Sequence, residues 1–153
     1  MDVAIVEQPA LRVAALAHRG AYHAIGRTFR NLEAALAAST VDVAASTLIA
    51  LYYDNPRTTA EADLHSAAGI ILADGAPVPS GLETCHTTAG RYATLTCVGS
   101  YSELPAAWQH LVGTWLPSSR YRAAEAPSLE IYRNSPMVAP AEQLITELYL
   151  AIA

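Results

Sequence analysis

Residues 12–36 read RVAALAHRGAYHAIGRTFRNLEAAL, and residues 91–115 read RYATLTCVGSYSELPAAWQHLVGTW. Laid on each other at an offset of 79, they place Arg12 on Arg91, Ala14 on Ala93, Leu16 on Leu95, Gly20 on Gly99 and Tyr22 on Tyr101. The apolar residues continue in register, with Ile25 on Leu104, Phe29 on Trp108, Leu32 on Leu111 and Leu36 on Trp115. The same offset carries Tyr53 to Tyr132 and Asn55 to Asn134. Identical glycines and tyrosines along a shared apolar stripe predict that residues 1–153 form a single domain built from two copies of one unit, about 1–79 and 80–153.

The hydrophobic period changes in the same order within each copy. From Tyr22 to Leu36, and from Tyr101 to Trp115, apolar residues recur at steps of three and four, which predicts one amphipathic helix per copy. Gly20 and Gly99 stand where a strand must turn into that helix, and Pro105 falls in a first helical turn, where its missing N–H costs little. A β-rich run precedes each helix, Leu11 to His18 and Arg91 to Val98. Two more follow each one: Thr47 to Tyr53 with Ile70 to Ala73, then Ser128 to Tyr132 with Leu144 to Ile152. The expected fold is α+β, a tandem β-α-β-β repeat with pseudo-twofold symmetry, its antiparallel sheet covered by two helices. Asp74 to Gly81, with two glycines and two prolines, reads as the linker between the copies. Clefts on such an axis are where small-molecule sites tend to lie, so the ligand cleft is expected there.

Composition excludes several classes of function. With 153 residues and 52% hydrophobic content, the chain can bury a core. No apolar run approaches the roughly 20 residues of a membrane span, and no secretory signal is visible behind Met1, so no membrane partner and a cytoplasmic location are expected. All nine basic residues are arginines scattered along the chain, and the net charge is −5. The absence of lysine removes Walker-loop and Schiff-base chemistry. The lack of a basic patch argues against direct nucleic-acid binding. Cys85 and Cys97 match no metal or redox spacing and read as reduced packing residues, and His18, His23, His65, His86 and His110 show no metal-ligand spacing. No metal and no cofactor are expected. Met1 to Ala10 reads as a short lead into the first strand with no room for a helix-turn-helix, which predicts a stand-alone domain.

The whole chain resembles the gyrase-inhibitor-like (GyrI-like) small-molecule-binding domain, also found as the effector-binding domain of multidrug-responsive transcription activators. The resemblance rests on the paired helix starts Gly20-Ala21-Tyr22 and Gly99-Ser100-Tyr101, and on Tyr52-Tyr53-Asp54-Asn55-Pro56. It rests also on Ala89-Gly90-Arg91-Tyr92-Ala93, Trp115-Leu116-Pro117-Ser118 and Leu129-Glu130-Ile131-Tyr132. It implies a cleft glutamate that pairs with cationic aromatic ligands, a role that falls on Glu130.

The residues themselves allow two readings of Glu130. On a strand, Glu130 and Tyr132 share one face, and at the offset of 79 Glu130 takes the place of Leu51, an interior type. A buried carboxylate needs an arginine, a proton or a ligand; alternatively, Glu130 is solvated on an open sheet face. Tyr22, Phe29, Tyr101, Trp108 and Trp115 read by default as core. Near the axis, Tyr53, Tyr132, Phe29 and Trp108, with Tyr92 behind them, are the candidate walls around a planar cation. The leading expectation is thus a binding domain for apolar or cationic small molecules, with oligomeric state open. A second reading, implied by the resemblance, is a hydrolase of cyclopropane-bearing DNA-alkylating natural products in which Glu130, with Tyr132, activates water. A third is a protein inhibitor of DNA gyrase.

Overall fold

The computed structural model describes residues 2–153. In chain order its elements are β1 (Val3–Gln8), β2 (Arg12–Arg19), α1 (Gly26–Ala37), β3 (Leu48–Tyr52), β4 (His65–Ile71), β5 (Glu83–His86) and β6 (Gly90–Val98), followed by α2 (Leu104–Trp108), α3 (Leu116–Ser118), β7 (Ser128–Tyr132) and β8 (Ile145–Ala151). A π-helical stretch, Gln109–Trp115, joins α2 to α3. The fold is α+β and its strands pair antiparallel.

The chain divides into two compact units, Ala10–Thr88 (the first unit) and the stretch up to Pro9 together with Ala89–Ala153 (the second). The first carries the strand order β3-β4-β2-β5 and the second β7-β8-β6-β1. Each therefore holds the expected strand, helix, strand, strand, plus a fourth strand that hydrophobic periodicity did not reveal. β5 is four residues long and pairs with β2, and β1 lies in the expected N-terminal lead and pairs with β6. Both supply hydrogen bonds to an edge that would otherwise stand open, and that is a backbone requirement with little side-chain signature. The expected linker Asp74 to Gly81 falls inside the first unit.

Local chemistry accounts for the helix starts. Gly20 (φ 103°) and Gly99 (φ 148°) adopt backbone angles closed to side-chain-bearing residues, and their N–H groups donate to Leu64 and Leu144 carbonyls, each at 2.8 Å. One 3-10 turn follows each, Tyr22–Ala24 and Tyr101–Glu103. α1 buries Thr28, Leu32 and Leu36, while α2 and the π stretch bury Leu104, Ala107 and Leu111 against Ala93, Leu95, Leu148 and Leu150.

The two copies fall out of the constant offset of 79 inside the second helix. Leu36 accepts from the N–H and Oγ of Ser39, and Leu116 accepts identically from Ser119, so Leu36 corresponds to Leu116 and the offset there is 80. It stays at 80 afterwards. Tyr52 pairs across the ladder with Ser66 and Tyr132 with Thr146; Asp54 Oδ2 accepts from the His65 N–H and Asn134 Oδ1 from that of Ile145. The inserted residue lies in Gln109–Trp115, where five-residue hydrogen-bonded turns let Leu111 and Leu116 share a face that Leu32 and Leu36 share at a spacing of four. Four expected equivalences are corrected accordingly. Leu36 answers to Leu116 and not Trp115, Tyr52 and not Tyr53 answers to Tyr132, Asp54 and not Asn55 answers to Asn134, and Glu130 replaces Ala50 and not Leu51.

Candidate functional site

On β7, Glu130 and Tyr132 alternate onto the helix-covered face, as strand geometry requires. Glu130 is 4% exposed and lies across the ladder from the fully buried Leu148. The Tyr132 hydroxyl donates to its Oε1 and the Trp108 indole N–H to its Oε2, each at 2.6 Å. Charge-assisted bonds of that length are the strong class. Both donors are neutral groups that solvate the carboxylate. The open-face reading of Glu130 does not hold for this geometry. Tyr101 meets the Tyr132 ring edge-on, with centroids 5.7 Å apart and planes at 69°. Burial raises the Tyr101 phenol above its ordinary range and the Glu130 charge adds to the rise. The Cys97 thiol, across the sheet, is likewise raised by burial and then by Glu103 and Glu130.

Comparison with the first unit shows what is special here. There, His18 is buried and fastened, its Nδ1 2.8 Å from Thr28 Oγ1 and its Nε2 3.0 Å from the Ala21 carbonyl. Since a carbonyl only accepts, Nε2 donates to Ala21. In the second unit the matching positions hold Cys97 and Ala107, which are smaller and cannot make that link. Phe29 becomes Trp108, which gains an N–H, and Ala50 becomes Glu130. The first unit keeps only the tyrosine pair, Tyr22 with Tyr52, centroids 4.7 Å apart. One copy thus carries a structural hydrogen bond, and the other has smaller side chains and a carboxylate in its place.

Tyr92 is 1% exposed on the face of β6 opposite Glu130, edge-on to Tyr149 at 6.0 Å. Tyr53 and Phe29 belong to the first unit. Tyr53 is 45% exposed and borders a half-open hollow of about 580 Å³ with Arg19, His65, Glu83 and Cys85. Its phenol is pushed up to about 12 by burial and by the neighbouring Cys85. Of the six expected residues, Glu130, Tyr132 and Trp108 come together. Tyr101 joins them although its helical spacing marked it as core; its place beside Gly99 at a strand-to-helix corner was the available signal. Ser66 Oγ and Thr146 Oγ1 are buried without hydrogen-bond partners, the latter between Cys97 and Tyr132. Among the described residues no group of three or more His, Cys, Asp or Glu gathers as a metal site would need, and no helix is long and apolar enough to cross a membrane.

A family model described as "GyrI-like small molecule binding domain" matches residues 1–153. Among curated proteins, the chain is 27% identical over 139 residues to a DNA gyrase inhibitor of Yersinia enterocolitica, covering 88% of this chain and 87% of that one. It is also 27% identical over 162 residues to the probable transcriptional regulator YgiV of Escherichia coli, covering 100% and 97%. Among solved structures, the EcmrR C-terminal domain superposes with a TM-score of 0.79 at 15% identity, covering 99% and 97%. SAV2435 bound to tetraphenylphosphonium gives 0.67 at 13%, covering 100% and 94%. A hydrolase from Listeria innocua gives 0.66 at 12%, covering 99% and 91%. At these identities the structural likeness speaks for the fold.

Proposed function

The chain belongs to the family of GyrI-like small-molecule-binding domains, and from that premise we propose that it captures apolar or cationic small molecules at Glu130 of the second unit. One observation carries the reading: a carboxylate 4% exposed, held at 2.6 Å by two neutral donors that are themselves aromatic. Keeping a carboxylate out of water costs hydration, part of which these donors return and to which a cationic ligand would add. Trp108 and Tyr132 contact it and Tyr101 packs on Tyr132, and a planar cation gains about 0.5–2 kcal/mol over each well-placed ring. A fold neighbour at low identity, SAV2435, is titled as bound to tetraphenylphosphonium, which supplies the probe.

The test is titration calorimetry with tetraphenylphosphonium on the wild type and on Glu130→Gln. The amide keeps the shape and removes the charge. A charge-assisted contact in a dry site is worth on the order of 1.5–3 kcal/mol, so affinity is expected to fall about tenfold or more. The apo protein, relieved of a desolvated charge, is expected to hold or raise its unfolding temperature. Equal affinity in the two proteins overturns the assignment.

A second reading draws on the same contact. A buried carboxylate 2.6 Å from a tyrosine hydroxyl is a general base with a polar partner, and a hydrolase is among the fold neighbours. Glu130 would take one proton of a water, oriented by Tyr132, whose oxygen bonds to a ring carbon of a strained cyclopropane; the ring C–C bond breaks, and its electron pair passes to the substrate's conjugated acceptor and is protonated, so that the product has gained one water. Mass spectrometry of such a substrate after incubation distinguishes the two readings: a gain of one water supports hydrolysis, and unchanged substrate leaves binding alone. The gyrase-inhibitor reading, which the Yersinia enterocolitica relative's name keeps in view, fails if a supercoiling assay shows no inhibition.

A further inference from the structure

Glu130 is not the only carboxylate that the second unit has where the first has alanine. Position 24 in the turn after Gly20 is alanine, and its counterpart in the turn after Gly99 is Glu103. The two turns have the same length and follow the same kind of glycine, so the substitution is a difference in chemistry at a fixed place. The Glu103 carboxylate folds back over Gly99. A Cβ built on Gly99 would run into Glu103 Oε2, whereas one on Gly20 meets nothing within 4 Å. The exposed side chain thus lies over the end of β6, the strand that carries Cys97.

The sheet register relates this carboxylate to Glu130. Cys97 pairs with Thr146 and Thr146 with Tyr132, so the row from β6 to β7 is Cys97, Thr146, Tyr132. Two strand spacings, about 10 Å, separate its ends. Glu103 lies over Gly99, two residues further along the chain from the Cys97 end of this row, and Glu130 is bonded to the Tyr132 end. The thiol between them experiences the negative charge of both. Midway along the row stands the Thr146 hydroxyl, 1% exposed and without a hydrogen-bond partner. The face therefore has an anion at each end, an unused hydroxyl between them, and the Tyr101 and Tyr132 rings alongside.

We propose that Glu103 is a second anionic recognition group of this site and that the site selects elongated dications over monocations of the same apolar size. This rests on the binding role of Glu130 proposed above and adds a charge-counting specificity to it. Glu103 is exposed where Glu130 is buried, so the two act differently. Glu130 captures one cationic group in a dry setting, and Glu103 holds the other at a wet rim, where an ion pair is weaker and sensitive to salt.

The test compares decamethonium with decyltrimethylammonium, which share a ten-carbon chain and differ by one quaternary ammonium, by titration calorimetry on the wild type, Glu103→Gln and Glu130→Gln. The wild type is expected to prefer decamethonium by more than the twofold that its two equivalent ends give statistically. Glu103→Gln is expected to weaken decamethonium about three- to fivefold, the size of an exposed ion pair, and to leave decyltrimethylammonium within error. Glu130→Gln is expected to weaken both. Raising the salt concentration should shrink the Glu103 effect. If Glu103→Gln leaves the preference unchanged, or weakens both ligands equally, the inference is overturned while the Glu130 reading stands. If the wild type binds neither these ligands nor tetraphenylphosphonium, the Glu130 reading fails and takes the inference with it.

Discussion

Trp108 shows how one side chain carries both packing and chemistry. Its ring packs against the core cluster of the second unit, and its N–H holds Glu130 Oε2. Trp108→Phe restores the residue type of the first unit and leaves that carboxylate oxygen without its indole donor. A hydrogen bond to a charged group contributes about 1.5–3 kcal/mol, so urea denaturation is expected to show a loss of that order. In Glu130→Gln the demand on the donor is smaller, because an amide needs less solvation than an anion. The double variant should therefore lose less than the sum of the singles, and strict additivity would mean that the bond contributes nothing. The sequence carried part of this. Glu130 and Tyr132 are two apart on a strand and had to share a face, but that Trp108 reaches the same carboxylate is a contact across 22 residues that spacing does not encode.

The element that distinguishes the copies is the π stretch. α1 closes its apolar stripe with Leu32 and Leu36, and the second helix needs five residues to bring Leu116 to the matching place. The inserted residue leaves Trp115 outside the Leu36 position, with its ring stacked on Tyr121 at 6.3 Å and 16°. Deleting the exposed Thr114 would return the spacing to four and allow α-helical bonding throughout. That variant is expected to fold, with unchanged far-ultraviolet circular dichroism and an unfolding temperature equal to or above that of the wild type. Deleting Glu33 from α1 removes a residue from a helix already in register, swings Leu36 off the core and should lower stability sharply. Equal loss in both deletions would contradict the insertion. Other element boundaries depended on neighbours too. β4 begins at His65, five residues before its expected start, because the Ser66-Ala67-Ala68-Gly69 run has weak strand propensity and is held extended by pairing with β2 and β3 on either side.

At the scale of the whole molecule, most of the perturbed groups titrate on the alkaline side. Burial raises Tyr22, Tyr53, Tyr92, Tyr101 and Tyr149, with Tyr53 reaching about 12, and raises Cys85 and Cys97 as well. Each loses its proton at lower pH when unfolded than when folded. The stability this linkage protects is therefore complete below the unfolded values and is lost as pH rises through the folded ones. Unfolding temperature is expected to fall steeply between about pH 10, the ordinary tyrosine value, and pH 12. Tyr53→Phe should make that fall shallower, and an unchanged slope would show that the Tyr53 environment is not what the fold imposes. The repeat, the helices, the glycine corners and the family were all legible in the sequence, because hydrophobic period, a positive φ that only glycine tolerates and recurring motifs are local properties. Edge strands β1 and β5, the shift of offset from 79 to 80 and the burial of Glu130 were decided only by the tertiary structure. Each depends on which backbone or side chain lies opposite in the sheet, and residues far apart in the chain supply that partner.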